Sequence, residues 1–143
     1  MRVAIDANTI LSGLFFHGNE RELLVESIRG RVTLVFAEDV IEEVHAVIQE
    51  TFQAHSDLRT ALELLNTIFR AGELVARREY RKDVATWEPR IRDPRDAALI
   101  AATVGTKADC LVTGDKVLLV LERVGGIRIL RTRQVLDLLA HRG

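Results

Sequence analysis

Four acidic residues stand at or just beyond the ends of apolar runs, or just inside the helices that follow such runs. They are Asp6, Glu43, Asp96 and Asp115. If the runs are strands and helices of one α/β sheet, the four carboxylates converge at one edge of that sheet. Because like charges repel, a cluster this tight is stable only around cations. The sequence therefore predicts a metal-dependent enzyme.

Each of these carboxylates also has a structural interpretation. Asp96 lies in the first turn of a predicted helix, where acids stabilise the helix dipole, and Asp115 can be an N-cap. Glu43 can be one more solvated helix residue. Asp6 is the exception, because a carboxylate directly after a buried strand gains nothing structurally, whereas α/β folds bind ligands beyond the strand ends. Together the four positions favour one shared site.

Helix geometry distinguishes Glu43 from its neighbour Glu42. At about 100° per residue, with Val44 at the centre of the apolar face, Glu42 points to solvent and Glu43 lies at the margin of the buried stripe. Glu43 is thus the residue that can lean over the sheet edge. Asn8 and Thr113 are candidates for orienting a ligated carboxylate or a bound water, although turn and strand roles are open to them as well.

Strand-like and helix-like segments alternate along the chain, which is typical of βαβ units and a mostly parallel sheet. Strands are predicted at residues 3–5, 32–36, 74–76, 110–113 and 127–130. Helices are predicted at 19–29, 37–49, 57–71, 94–104, from 115 and at 134–140. The first begins with a capping box at Asn19 and Glu22, and Asp93 caps the helix that starts with Pro94. Residues 77–93 are predicted to be a long loop.

Composition narrows the possible functions. A chain of 143 residues, 48% of them apolar, supports one domain spanning 1–143 with a real core. Its net charge of −1 gives no global attraction to nucleic acid, so any such attraction must come from a local patch or bound metal. The single cysteine, Cys110, favours a reducing cytoplasm. No apolar stretch has the length of a signal peptide or a membrane span.

The segment 77–92 combines basic side chains with the only Tyr and the only Trp of the chain. The residues concerned are Arg77, Arg78, Tyr80, Arg81, Lys82, Trp87, Arg90 and Arg92. Basic groups that bind phosphates and aromatic rings that stack on bases are typical of single-stranded RNA binding. The alternative is a solvated loop with Trp87 packed on the core. The segment is therefore a candidate RNA contact.

Several blocks of this sequence together resemble the PIN-domain family, in particular the VapC-like ribonucleases of bacterial toxin–antitoxin systems. They are V-x-I-D-x-N near the start, an acidic residue in the helix after the second strand, R-D-P-x-D-x-x-x-I-A-A, and A-D-x-L-V-T-G-D-x-x-L-L. The resemblance spans essentially the whole chain. One departure is Ala37, where similar sequences often have Ser, so the helix that follows has lost a capping hydroxyl.

The resemblance implies an α/β fold, a three-layer α/β/α sandwich with a mostly parallel central sheet. It implies that one or two Mg²⁺ or Mn²⁺ ions are held by the four carboxylates, with Asp93 as an outer member of the site. It also implies an RNA substrate, a cognate antitoxin partner and a homodimer. The wide apolar faces of the helices 37–49 and 57–71 also favour a two-fold dimer.

The predicted activity is hydrolysis of phosphodiester bonds in single-stranded or loop RNA. Divalent ions would neutralise the phosphate oxygens and activate water. One alternative is a catalytically weak PIN-like module that binds RNA or a protein partner. A phosphatase of the haloacid dehalogenase type needs a second Asp two residues after Asp6, where this chain has Asn8. A flap-type DNA nuclease needs additional helical elements for which this length leaves no room.

Overall fold

The computed structural model describes residues 1–142. Six strands in this part of the chain form one sheet: β1 (Arg2–Ile5), β2 (Thr33–Ala37), β3 (Glu73–Val75), β4 (Cys110–Val112), β5 (Arg123–Val124) and β6 (Ile127–Leu130). Their order is β3-β2-β1-β4-β6-β5, and every neighbouring pair is parallel except β5 and β6. The prediction of a mostly parallel sheet is thus confirmed.

Helices pack on both faces of this sheet. Those within the described residues are α1 (Ala7–Phe15), α2 (Asn19–Ile28), α3 (Glu38–Thr51), α4 (Leu58–Ala71), α5 (Arg77–Tyr80), α6 (Val84–Trp87), α7 (Pro94–Gly105), α8 (Lys116–Leu119) and α9 (Thr132–Arg142). One group contains α1, α2, α4 and α9, the other contains α5, α6 and α7, and α3 contacts both α1 and α7. The central strands β1, β2 and β4 are almost wholly buried, as expected for strands covered on both faces.

The strand order places a crevice between β1 and β4. From β1 the chain moves outward to β2 and β3 and then crosses back to β4 on the other side of β1. At such a switch point the connections after the two strands diverge and leave a ligand-binding crevice at their carboxyl ends. Asp6 follows β1 and Asp115 lies three residues after the end of β4, so both flank this crevice. None of the helices in residues 1–142 is long and apolar enough to cross a membrane.

Several local predictions were wrong. The segment after Asp6 is the helix α1, which the sequence analysis did not predict. The predicted loop at 77–93 contains α5, a 3₁₀ turn at Arg81–Asp83 and α6, each too short to produce a helical period. The predicted capping box of α2 is absent, because Asn19 is its first helical residue and the N-cap is Gly18. The short strand β5 was also missed.

A tyrosine compensates for the missing capping hydroxyl at Ala37. Ala37 is the N-cap of α3 and provides no side-chain cap. Instead, the hydroxyl of Tyr80 in α5 accepts a hydrogen bond from the backbone N–H of Asp39 at 3.1 Å. Burial raises the pKa of Tyr80 to about 12, so the hydroxyl stays neutral. Since α3 carries Glu43, this contact helps to fix one wall of the candidate site.

We expect the substitution Tyr80→Phe to lower the free energy of unfolding by about 1 kcal/mol, because it leaves the N–H of Asp39 without its acceptor. Urea unfolding of the metal-free protein measures this loss. Adding Ala37→Ser to the Tyr80→Phe variant supplies a hydroxyl at the N-cap itself and should recover part of it. Equal stability of wild type and Tyr80→Phe would mean that the contact has no capping role.

Candidate active site

The structure brings all four predicted carboxylates to one cavity at the carboxyl edge of the sheet. The cavity has a volume of about 180 Å³ and its acidic lining residues are Asp6, Glu43, Asp93, Asp96 and Asp115. Asn8 lines the same cavity. The side chains come from β1, α3, the start of α7 and the turn after β4. Sequence spacing therefore predicted the convergence of the acidic residues correctly.

Asp6 has a structural role, so the prediction that a carboxylate at this position gains nothing structurally was wrong. Its Oδ1 accepts a hydrogen bond from the N–H of Thr9 at 2.9 Å, which makes Asp6 the N-cap of α1. Its Oδ2 accepts a hydrogen bond of 2.5 Å from the hydroxyl of Thr113. The oxygen of that hydroxyl in turn accepts the N–H of Asp115 at 3.0 Å. Thr113 thus links the acidic residues that follow β1 and β4.

Two further carboxylates are held by the helices that they cap. Oδ1 of Asp115 accepts the N–H of Val117 at 2.9 Å, at the start of α8. Oδ1 of Asp93 accepts the N–H of Arg95 at 2.9 Å, with Pro94 in the first position of α7. The hydrogen bond from the Arg95 backbone lowers the pKa of Asp93. The predicted capping roles of Asp93 and Asp115 are therefore confirmed, and both carboxylates also line the cavity.

Asp96 is a partly buried carboxylate with other negative charges close to it. Burial raises its pKa to about 6, and the negative charges of Asp93 and Asp115 add to this rise. The positive charge of Arg95 opposes it. A carboxylate under such repulsion is stabilised by a cation, and hard oxygen donors are the ligands that Mg²⁺ and Mn²⁺ prefer. The chemical type of these donors therefore suits a divalent ion.

We expect Asp96→Asn to stabilise the metal-free protein at pH 8. The pKa of Asp96 rises from 3.8 to about 6 on folding, so the folded state binds this proton more tightly. Stability is therefore lost as the pH rises through that interval, and Asn avoids the loss. After allowance for solvent screening of this partly exposed group, the gain should be about 1 kcal/mol. Urea unfolding in EDTA measures it.

The gain should disappear at about pH 4, where the wild-type carboxyl is close to half protonated even in the unfolded chain. The matched control is Asp137→Asn, which removes the same charge from the exposed side of α9, where Asp137 pairs with Arg133. This control should show no gain at pH 8. A destabilised Asp96→Asn variant at pH 8 would contradict a raised pKa of Asp96 in the folded protein.

One basic residue reaches into the acidic cavity. Nη1 of Arg95 lies 3.0 Å from Oε1 of Glu43, and Nη2 lies 3.4 Å from Oδ2 of Asp93. Among the described residues, no three acidic, histidine or cysteine side chains converge closely enough to hold one ion together. The carboxylates thus line one cavity, but their oxygens contact neighbouring groups of the protein. Sequence reasoning missed Arg95, although its position between Asp93 and Asp96 was a signal.

The segment 77–92 does not line this cavity, which alters the predicted RNA contacts. Tyr80 is fully buried, so its ring cannot stack on a base. Trp87 lies close to Gly125, and so does Val104. Val104 is about 12 Å along α7 from Asp96 at 1.5 Å per residue.

The basic side chains of this segment fall into two groups. Arg77 forms ion pairs with three carboxylates of α3, those of Glu38, Asp39 and Glu42. The guanidinium of Arg90 lies 5.6 Å from the centre of the Trp87 ring. Arg90 is exposed, as are Arg78, Arg81, Lys82 and Arg92. They stay candidate contacts for RNA outside the cavity.

A second and larger cavity adjoins the acidic one. It has a volume of about 520 Å³ and shares Asn8 and Asp115 with the first. Its other lining residues are Thr9, Ser12, Glu20, Gly114 and Lys116. These are mostly groups that donate or accept hydrogen bonds, so the space next to the carboxylates can take a polar molecule.

Comparison with known proteins places this arrangement in a family. A model of the PIN domain matches residues 2–117. None of the curated proteins is detectably similar to the sequence. One similar solved structure is a chain of VapBC2 from Rickettsia felis, crystallised bound to a DNA fragment from their promoter. It is 13% identical, with a TM-score of 0.66 over 92% of this chain and 98% of that one.

Another similar structure is that of a protein from Pyrobaculum aerophilum. It is 18% identical, with a TM-score of 0.71 over 99% of this chain and 90% of that one. At these identities the likeness concerns the fold, and it confirms the α/β architecture with a mostly parallel central sheet. Because the family model covers most of the sequence, this chain belongs to the PIN domain family.

Proposed function

We propose that this PIN domain is a metal-dependent endoribonuclease that cleaves single-stranded or loop RNA, and that it is the toxin of a toxin–antitoxin pair. The observation that carries the proposal is the convergence of the carboxylates around one cavity at the switch point of the sheet. Burial and the neighbouring negative charges raise the pKa of Asp96, which supports a cation as a partner of these carboxylates. The family assignment supports nuclease chemistry.

The protein residues would act as ligands and as supports for ligands. Asp6, Glu43, Asp96 and Asp115 would hold one or two Mg²⁺ or Mn²⁺ ions, which supply neutralisation of the phosphodiester and activation of water. Thr113 keeps the carboxylate of Asp6 in one orientation through its short hydrogen bond. Such outer contacts hold ligands in place before the ion binds, so less ordering is required on binding.

The larger cavity supports a polymer substrate over a small phosphomonoester. It extends the acidic cavity past Asn8 and Asp115, so a chain bound at the carboxylates can continue into it. Lys116 on its wall is suited to a phosphate, and Ser12 is suited to a sugar or a base edge. We infer that nucleotides next to the cleaved bond occupy this space.

The test is to incubate the purified protein with structured RNA, single-stranded DNA and a generic phosphomonoester, each with Mg²⁺, Mn²⁺ or EDTA. We expect internal cleavage of RNA with either metal and none with EDTA. RNA binding without cleavage under all conditions would favour the alternative, a catalytically weak module that binds RNA or a protein. That alternative is motivated by the ion pair between Arg95 and Glu43, which engages an oxygen of one candidate ligand.

We also propose a cognate antitoxin as partner, because one similar structure is a chain of VapBC2. The contact of Arg95 with Glu43 supports the acidic cavity as a receptor for an Arg or Lys of that partner. Partner affinity should then fall as the Mg²⁺ concentration rises, and metal affinity should fall by the same factor when the partner is bound. Partner affinity independent of Mg²⁺ would indicate a contact outside the cavity.

We also propose a homodimer, although α3 and α4 expose less apolar surface than the sequence suggested. Val44 of α3 and Leu65 of α4 are buried within the protomer, whereas Leu62 of α4 is 39% exposed and Leu58 and Leu64 are partly buried. Leu58, Leu62 and Leu64 thus form an apolar strip on α4 that a second copy could cover. Light scattering at micromolar concentration tests this, and a monomer would count against it.

Cytoplasmic action is likewise a proposal, supported by one unpaired, buried cysteine.

A further inference from the structure

The acidic cavity contains one positive charge of the protein itself, the guanidinium of Arg95. Arg95 stands in the first turn of α7, and its guanidinium reaches Glu43 on α3, 52 residues away in sequence. The same guanidinium contacts Asp93. Arg95 is the sole basic side chain among the described residues that line this cavity. It therefore occupies an oxygen of Glu43 that a divalent ion would need.

The contact is suited to displacement. The guanidinium of Arg95 is always charged, because arginine does not lose its proton in proteins. Its side chain is nevertheless 74% exposed, and exposed ion pairs are weak. A divalent ion bound by several carboxylates would outcompete such a pair. The long side chain can then move without any change in the backbone.

We propose that Arg95 is a built-in counter-ion of the acidic cavity, which holds Glu43 in the metal-free protein and releases it when a divalent metal binds. This inference rests on the proposed metal site. Once released, the guanidinium stands at the rim of the cavity next to the N-terminus of α7. A planar guanidinium in that place is suited to a phosphate oxygen of the substrate.

The experiment measures Mn²⁺ binding by calorimetry to the full chain, stripped of metal and without RNA. Removing the competitor in Arg95→Gln should tighten Mn²⁺ binding about two- to fivefold, the range that an exposed ion pair contributes. Arg95→Lys keeps the charge and loses the planar fork, so its affinity should lie between wild type and Arg95→Gln. Arg92→Gln is the matched control, because it removes the same charge from an exposed residue three positions earlier in the sequence.

The outcomes separate this inference from the proposed function. Equal or weaker Mn²⁺ binding by Arg95→Gln would overturn the counter-ion role, as would an equal gain in Arg92→Gln, which would indicate a general charge effect. If wild type binds no Mn²⁺, the inference and the metal-dependent function both fail. If Arg95→Gln binds Mn²⁺ more tightly but no RNA is cleaved, the counter-ion role stands and the ribonuclease proposal falls.

Discussion

Replacing Asp6 by Asn is expected to lower metal-dependent RNA cleavage by about a thousandfold or more. Asp6 lies where β1 ends, at the crevice between β1 and β4, and its carboxylate lines the acidic cavity. Asn removes the negative charge that would attract the ion. It keeps an oxygen to accept the N–H of Thr9, so the cap of α1 is retained. Its amide nitrogen takes the place of Oδ2, so the hydrogen bond with the Thr113 hydroxyl has to form with the amide as donor. The fold should then be retained, and the main loss should be one of chemistry.

Two measurements distinguish a loss of catalytic chemistry from a loss of folding. Urea unfolding in EDTA should give Asp6→Asn a stability close to that of wild type, because the substitution also relieves repulsion at Asp96. Glu42→Gln is the control for cleavage, since Glu42 neighbours Glu43 in sequence but is 60% exposed and pairs with Arg77. It should retain activity within about twofold and lose little stability. Full cleavage by Asp6→Asn would remove Asp6 from the site.

The convergence of the carboxylates could be predicted because it depends on local patterns and on one topological rule. Continuous apolar runs identified β1 and β4 as buried strands, and strands of a parallel sheet end at the same edge. The helical period of α3 distinguished Glu43 from Glu42. The structure agrees, with Glu43 lining the cavity and Glu42 on the solvent side.

The cap formed by Asp6 could not be predicted from the same patterns. Helix α1 is buried nearly all round, so its sequence lacks the alternation of polar and apolar faces that identifies a surface helix. Without that helix, Asp6 had no visible structural partner. The helices α5 and α6 were missed for a different reason: at four residues each, they are shorter than the period that would reveal them.

Contacts between residues distant in sequence were also beyond the reach of sequence patterns. The hydroxyl of Tyr80 caps a helix that begins 42 residues earlier, and Arg95 pairs with Glu43 across the cavity. Sequence patterns act over a few residues, whereas these two pairs of partners lie 41 and 52 residues apart. The basic and aromatic character of 77–92 suggested RNA binding, whereas packing against the body of the protein accounts for Tyr80 and for part of Trp87.

Replacing Thr113 by Val is expected to weaken Mn²⁺ binding by about 10- to 100-fold, and RNA cleavage with it. Thr113 is fully buried, and its hydroxyl joins Oδ2 of Asp6 to the backbone N–H of Asp115. Val has nearly the same shape, so the packing after β4 is retained. The carboxylate of Asp6 loses the contact that fixes its orientation, and the Asp115 turn loses its acceptor. Thr113 thus acts as a positioning residue for two candidate ligands.

Thr113→Val should also lower the free energy of unfolding, and this effect has to be separated from the loss of Mn²⁺ affinity. Removing the hydroxyl leaves two polar groups without their partner, which costs about 1–3 kcal/mol. Thr103→Val is the matched control, because Thr103 is equally buried and its hydroxyl donates to the carbonyl of Leu99 within α7. The control should lose stability without losing Mn²⁺ affinity, and Thr113→Ser should recover that affinity. If Thr113→Val binds Mn²⁺ as tightly as wild type, the hydroxyl stabilises the fold and has no part in the site.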